Sequence, residues 1–301
     1  MEVNDLVYGK YKIKEKILVD LINTSAVQRL KGIRQQGLPK EWHYGVEFTR
    51  YDHSIGVMIL LDKLGASLKE RIAGLLHDIS HMAFSHVYDY YINNKNESHG
   101  DNIFYEWLNK DKKIKDILSK YGYELNDIIN FDNFKLLERN SPDLCADRID
   151  YTLRENVALE KDAKLAKELF KNLIVINNEI VFKNKGSAEK FYNIYKFYAE
   201  NYWGGVKHTM KYNIFVKILK QAIKLKLIKD ADFYKTDDYI LEKIKKSKDK
   251  GIIRNIKKLE TNSFKIPKKY MGFTGKKRGV NPKYLFKNKL LYLLDNPLQK
   301  S

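Results

Sequence analysis

The 301-residue chain contains a single cysteine, Cys145, so it can form neither an intramolecular disulfide nor a cysteine-based zinc site. Stability must come from packing, any metal must be held by His, Asp or Glu, and a reducing, cytoplasmic compartment is expected. Long apolar runs are missing too: nothing approaches the ~18 uncharged residues that span a bilayer. The opening MEVNDLVYGKYKIKEK lacks the apolar core of a signal peptide, so the expectation is a soluble protein with no membrane partner. Acidic residues are scarce in the second part of the chain. Up to residue 160 there are 22 basic and 25 acidic residues, net −3; beyond it there are 34 and 13, net +21. Aromatic residues, by contrast, are plentiful. With 21 Tyr, 14 Phe and 44% hydrophobic side chains the chain folds rather than behaving as a polyelectrolyte.

A basic second half invites nucleic acid, because lysines that neutralise phosphates release counterions. The competing reading is a solvated helical face, as in Leu241-Glu-Lys-Ile-Lys-Lys-Ser-Lys248, and it is preferred because charge patterning alone carries little functional information. Leu6 to Ile13 alternates around Gly9 and predicts a short hairpin. Ala26, Val27, Leu30 and Ile33 then recur at helical spacing until Gly37-Leu-Pro39, and apolar helices are expected at 54–64, with His53 just before it, and at 68–79. Further helices are expected at 99–110, 111–121, 143–157, 161–171, 187–229 and 238–260. Two β-branched runs flank Asn177-Asn178 and predict a hairpin at 173–182. Pro267 to Pro282 reads as a mobile loop before the apolar run 284–294.

Five of the seven histidines, His53, His77, His81, His86 and His99, fall within 47 residues. Imidazoles beside carboxylates suit a divalent first-row metal. His77 and Asp78 are adjacent at the end of an apolar helix, where both can reach one ion. Burying Asp78 there unpaired would cost several kcal/mol, roughly, and a metal would remove that penalty. His53 offers a third ligand, and an acid within Asp147-Arg-Ile-Asp150 a fourth. Any one of these histidines alone is more often a hydrogen-bonded core or surface residue; the group as a whole is not.

The order His53, His77-Asp78, then an Asp about 70 residues on resembles the H…HD…D signature of HD-domain metal-dependent phosphohydrolases. Thr24 to Gly37 (TSAVQRLKGIRQQG), Thr49 to Val57 (TRYDHSIGV), Ala73 to His86 (AGLLHDISHMAFSH) and Pro142 to Arg154 (PDLCADRIDYTLR) each resemble that superfamily's motifs, most closely in the branch of dNTP triphosphohydrolases. A fainter echo lies at Lys276 to Pro282. The resemblance implies a mainly α fold: an HD-domain orthogonal helical bundle over 1–165 and a basic, mostly helical C-terminal lobe over 166–301 carrying the small β-hairpin.

It further implies His53, His77, Asp78 and Asp147 as ligands of one divalent ion, with Asp150 a structural or supporting acid. Mn, Fe, Zn, Co, Ni and Mg all suit such a set. His81 matches a phosphate-contacting or catalytic histidine. Asp89 with His99 matches a carboxylate–imidazole pair in which His99 is the general acid, and His86 matches a phosphate contact. Gln35, Arg50 and Tyr151 correspond to substrate-binding positions. The function implied is hydrolysis of a nucleotide phosphoester or phosphoanhydride, with dNTP triphosphohydrolase its most specific form. Alternatives are a nuclease or cyclic-nucleotide phosphodiesterase using the same site, and a non-catalytic nucleotide- or nucleic-acid-binding module. The partner is thus a phosphorylated small molecule, a nucleotide first of all, with nucleic acid on the basic half and homo-oligomerisation left open. Gln36 where the family has Leu, Glu155 where it has Asp, and Gly100-Asp101 after His99 depart from the pattern and bear on specificity.

Overall fold

The computed structural model describes residues 1–43, 47–94, 96–161, 163–266 and 278–295. Strands β1 (Glu2–Asp5) and β2 (Gly9–Lys12) form the expected N-terminal hairpin, but Gly9 opens the second strand and the turn lies at 6–8. Helices α1 (Lys16–Ile22) and α2 (Ser25–Arg29) follow. The helix expected to run on to Gly37 ends earlier, in a 3-10 turn over Leu30–Gly32.

Helix α3 (Arg50–Lys63) starts a turn before the apolar run that predicts it. Thr49 and Asp52 form a reciprocal capping box: Asp52 N donates to Thr49 Oγ1 (3.2 Å) and Thr49 N to Asp52 Oδ2 (2.8 Å). His53 therefore lies inside the helix. From His53 to Leu61 every side chain is buried, so α3 is the central helix of the bundle, and each large aliphatic contributes roughly 1.5–3 kcal/mol by leaving water. It packs on α4 (Leu68–Leu76) and on α9 (Ala146–Glu160). Helix α4 stops at Leu76 rather than at 79, because the following backbone turns away: Arg29 takes the carbonyls of Ile79 and His81.

Around this centre lie α5 (His86–Tyr91), α6 (His99–Lys110), α7 (Lys112–Lys120), α8 (Asn126–Ile129) and α10 (Ala163–Lys171). Strands β3 (Leu173–Ile176) and β4 (Glu179–Phe182) pair as expected, with Asn177 and Asn178 left-handed in the turn. The apolar run near the C-terminus forms a second hairpin, β5 (Lys283–Phe286) and β6 (Lys289–Tyr292), which joins β4 in a four-stranded sheet through Phe182 and Tyr284. The helical stretch expected over 187–229 is divided into α11 (Lys185–Tyr198), a π-helical turn Ala199–Trp203 and α12 (Val206–Lys224). Helices α13 (Asp237–Lys245) and α14 (Lys250–Glu260) complete the fold. The loop expected at 267–282 lies outside the described residues as far as 277.

Two apolar clusters form, and both draw on residues either side of 165. One joins α1, α3, α4 and α9 to α11 and β4. The other joins Leu30, Ile33, Met82 and Phe84 to α12, α13 and α14. The chain is mainly α, and among the described residues no helix is long and apolar enough to cross a membrane.

Candidate metal centre and substrate cleft

Three helix ends converge. The first turn of α3 brings His53, the C-cap of α4 brings His77 with Asp78 behind it, and the first turn of α9 brings Asp147. His53 is fully buried and its Nδ1 lies 2.7 Å from Asp150 Oδ2. Asp150 is in turn gripped by Arg154, whose Nε and Nη2 donate at 3.0 and 2.9 Å; Nη2 also donates to Asp5 Oδ2 at 2.8 Å. This buried network fits only because residue 56 is glycine: a Cβ there would lie 1.9 Å from Arg154 Nη2 and 2.2 Å from Asp150 Oδ1. Asp150 is thus the acid that orients His53.

His77 is oriented in the same way, with Nδ1 donating to the Gly74 carbonyl at 2.7 Å. Both rings therefore carry their proton on Nδ1 and turn a bare Nε2 inward, and the two Nε2 atoms are 3.3 Å apart. Asp147 Oδ1 lies 2.8 Å from His53 Nε2 and 3.5 Å from His77 Nε2, while the Asp78 carboxylate is 3.8 and 3.6 Å from the same two atoms. Ligand atoms of His53, His77 and Asp147 all fall within 4.8 Å of one another. Two lone pairs and two carboxylates aimed at one point repel unless a cation stands among them, and the spacing suits ligands ~2 Å from one ion. The donors fit a divalent metal. With protons alone in its place, burial works to lower the His77 pKa, but Asp78 and Asp147 outweigh it and raise the ring to about 9. His53 is likewise raised, and Asp78 is lowered against burial by Arg50 and the histidines.

Asp78 is not unpaired as the sequence argument supposed: Arg50 Nη1 donates to its Oδ2 at 2.8 Å. Arg50 is buried and also donates to Ser85 Oγ (3.1 Å) and the Gln35 carbonyl (3.3 Å), so it fixes the walls of the cleft while lining it. A second acid–thiol group, Glu138, Cys145 and Asp147, adjoins the centre. Burial pushes the Cys145 thiol well up, leaving it an S–H donor to Glu138 Oε1 at 3.7 Å rather than a thiolate ligand.

A cleft of about 340 Å³ opens over these residues, and an inner recess of about 50 Å³ adjoins it. His81 lines the cleft with Nε2 3.2 Å from Asp78 Oδ1; burial, then the charge of Arg50, lowers it to about 4. Gln35, His86 and Tyr151 line both cavities. Gln35 Oε1 is buried without a hydrogen-bond partner, and the Tyr151 ring packs edge-on against Trp203. The expected pairing of Asp89 with His99 is not formed between side chains. Asp89 Oδ2 faces His86 Nδ1 at 3.3 Å, and Oδ1 accepts from the His99 backbone N–H at 3.0 Å. The His99 ring turns away to pack against Tyr88 and lines a separate groove beside Trp107 and Tyr234. The reason is local. His99 opens α6, so its N–H is an unsatisfied helix-end donor that the carboxylate satisfies, while His86 sits one turn before Asp89 on α5.

Two features escaped the sequence reading. Gln36 and Glu155, noted as separate departures, are bonded to each other, Nε2 to Oε2 at 3.0 Å, with His43 Nε2 3.5 Å from the other Glu155 oxygen. Arg278, from the faint C-terminal echo, reaches both cavities and pairs with Glu97. No local signal could have found Glu97; Arg278 lay within a motif noted only weakly.

The HD domain family matches residues 50–155. An uncharacterized protein of Bacillus subtilis, YdhJ, is 37% identical over 263 residues, covering 84% of this chain and 78% of its own length. The metal-dependent phosphohydrolase cns2 of Cordyceps militaris is 30% identical over 243 residues, covering 78% of this chain and 70% of its own. Over a shorter stretch the deoxynucleoside triphosphate triphosphohydrolase SAMHD1 of Gallus gallus is 34% identical, covering 42% of this chain and 24% of its own. Among solved structures, a phosphohydrolase of Bacteroides thetaiotaomicron shares the fold with a TM-score of 0.63 at 20% identity, covering 87% of this chain and 76% of its own.

Proposed function

The chain belongs to the HD-domain metal-dependent phosphohydrolases, and from that membership we propose that it hydrolyses a phosphoester or phosphoanhydride of a nucleotide, with dNTP triphosphohydrolysis the most specific form of the reading. The observation that carries it is the pair of Nε2 atoms, 3.3 Å apart, turned toward two carboxylates at one end of a cleft large enough for a phosphorylated small molecule. His53, His77, Asp78 and Asp147 would hold one divalent ion, which when bound acts as a Lewis acid on a phosphate oxygen and lowers the pKa of a water.

The chain's own residues supply the rest. Asp150 and the Gly74 carbonyl hold the two rings in the tautomer a ligand needs. Arg50 keeps Asp78 ionised and in place. His81, held neutral near pH 7, offers a hydrogen bond to phosphate without adding charge. His86, with Asp89 behind its Nδ1, takes the role expected of His99: the carboxylate orients the ring toward the cleft, where it can pass a proton to the leaving oxygen. Gln35 and Tyr151 form the recess wall where the rest of the substrate lodges.

The test is a panel of dNTPs, NTPs, nucleoside monophosphates, cyclic nucleotides and oligonucleotides with Mn²⁺ and product identification. Nucleotide turnover that falls to background in His77→Ala and Asp147→Ala, with the bound metal lost, is expected. Strand cleavage without nucleotide turnover favours the nuclease, and equal ligand binding with no turnover favours a binding module; either sinks the reading.

A further inference from the structure

Among the described residues three arginines line the cleft, and they are not equivalent. Arg50 commits its nitrogens to Asp78, Ser85 and the Gln35 carbonyl. Arg148 commits both Nη atoms to the backbone carbonyls of Asp143 and Arg139. Freeing either would break main-chain anchors of the site. Arg278 stands where the two cavities meet. It lines both the cleft and the inner recess, and its Nη2 is met by a side chain, the carboxylate of Glu97, which lines both cavities too.

Both partners are placed there by the backbone. Glu97 sits at φ 53°, a left-handed conformation uncommon for a residue other than glycine, and its side chain is only 4% exposed. Arg278 is followed by residues locked to the bundle. The Gly279 carbonyl accepts from Ser141 Oγ (2.9 Å), Asn281 N donates to the Pro142 carbonyl (2.9 Å), and Val280 is buried in the larger apolar cluster. Asn281 and Leu294 bond reciprocally, tying the segment to the hairpin beyond. The C-terminal segment thus delivers one fixed guanidinium into a cleft whose metal end is rich in carboxylates.

We propose that Arg278 is a substrate-binding residue that takes phosphate oxygens away from the metal end, with Glu97 orienting its guanidinium. This rests on the phosphohydrolase reading above. A guanidinium's planar fork can serve a carboxylate along one edge and phosphate oxygens along another. Phosphate recognition then draws on both ends of the sequence: metal ligands from residues 53–147 and a cation from residue 278.

The probe is tripolyphosphate, titrated calorimetrically into the Mn²⁺-loaded protein, alongside KM and kcat on the best nucleotide of the panel. Arg278→Gln is expected to weaken tripolyphosphate and raise KM roughly 10- to 100-fold, with Arg278→Lys between it and wild type and adenosine affinity unchanged. Wild-type tripolyphosphate affinity in Arg278→Gln overturns the proposal, as does an equal loss of adenosine binding, which marks a merely structural arginine. If Arg278→Gln melts early, Arg278→Lys decides: intermediate affinity supports the proposal and wild-type affinity overturns it. Absence of any nucleotide turnover by the wild-type protein defeats the function proposed above, while the tripolyphosphate titration still tests Arg278.

Discussion

At the metal end of the cleft each charged side chain is held by at least two others: Asp150 by His53 and Arg154, Asp78 by Arg50 and His81, Asp147 by His53 and His77. On the outer face of α12, Lys217, Lys220 and Lys224 are exposed and make no ion pair among the described residues. The first region has little net charge, while the second belongs to the part of the chain beyond residue 160, which carries +21. Their difference teaches that placed charge, fixed by desolvated partners, carries the chemistry here, while abundant charge in water is screened and adds little.

The sharpest way to break the contrast is at the joint between the regions. Asp237, at the start of α13, is fully buried and accepts from the backbone N–H groups of Phe84 (2.7 Å) and Arg34 (2.9 Å), docking the basic lobe against the segments that carry them. Asp237→Ala strands both donors and should cost about 2–5 kcal/mol in urea unfolding. Its pH dependence has a definite sign. Burial pushes Asp237 up to about 7 from 3.8, outweighing the two backbone hydrogen bonds, so the folded state binds the proton more tightly. The stability this group contributes is present below pH 4 and is lost as pH rises through 7. The penalty of Asp237→Asn should therefore shrink between pH 5 and pH 8; a penalty that grows would contradict the shift.

A smaller effect sharpens the account of the metal end. Asp150→Asn leaves the proposed ligands intact but removes the carboxylate behind His53. Metal affinity should fall about 10- to 100-fold, as measured by competition with a chelating dye. Unchanged affinity would mean that bracing is irrelevant to the centre. The smallest effect belongs to the lobe. Replacing Lys217, Lys220 and Lys224 together with Gln should move stability by no more than about 0.5 kcal/mol per site and leave nucleotide turnover within about twofold. A large loss restricted to oligonucleotide cleavage would instead assign the basic face to a polyanion.

Much of the centre could be read locally. The His and Asp residues at 53, 77, 78 and 147, the Asn177-Asn178 turn and the apolar helices around them announce themselves by residue type and spacing, because a metal constrains donor chemistry and a helix constrains periodicity. Other features resisted for identifiable reasons. The start of α3 depended on Thr49 and Asp52 bonding reciprocally, which overrode the apolar pattern beginning at Ser54. The partner of Asp89 depended on which way two histidines, three residues before it and ten after it, turned their rings.

By itself the sequence determined that this chain is a mainly helical protein and that any metal it holds rests on imidazole and carboxylate, since one cysteine cannot build a thiolate site. Only the tertiary structure decided that His86 rather than His99 faces Asp89, that Gln36 and Glu155 act as one bonded pair, that Asp78 already has a counter-ion in Arg50, and that Arg278 reaches the cleft. Each of these is set by side-chain direction across long sequence separation. Hydrogen bonds form between groups that packing brings within about 3 Å, and no local period or propensity encodes which distant residue packing will deliver.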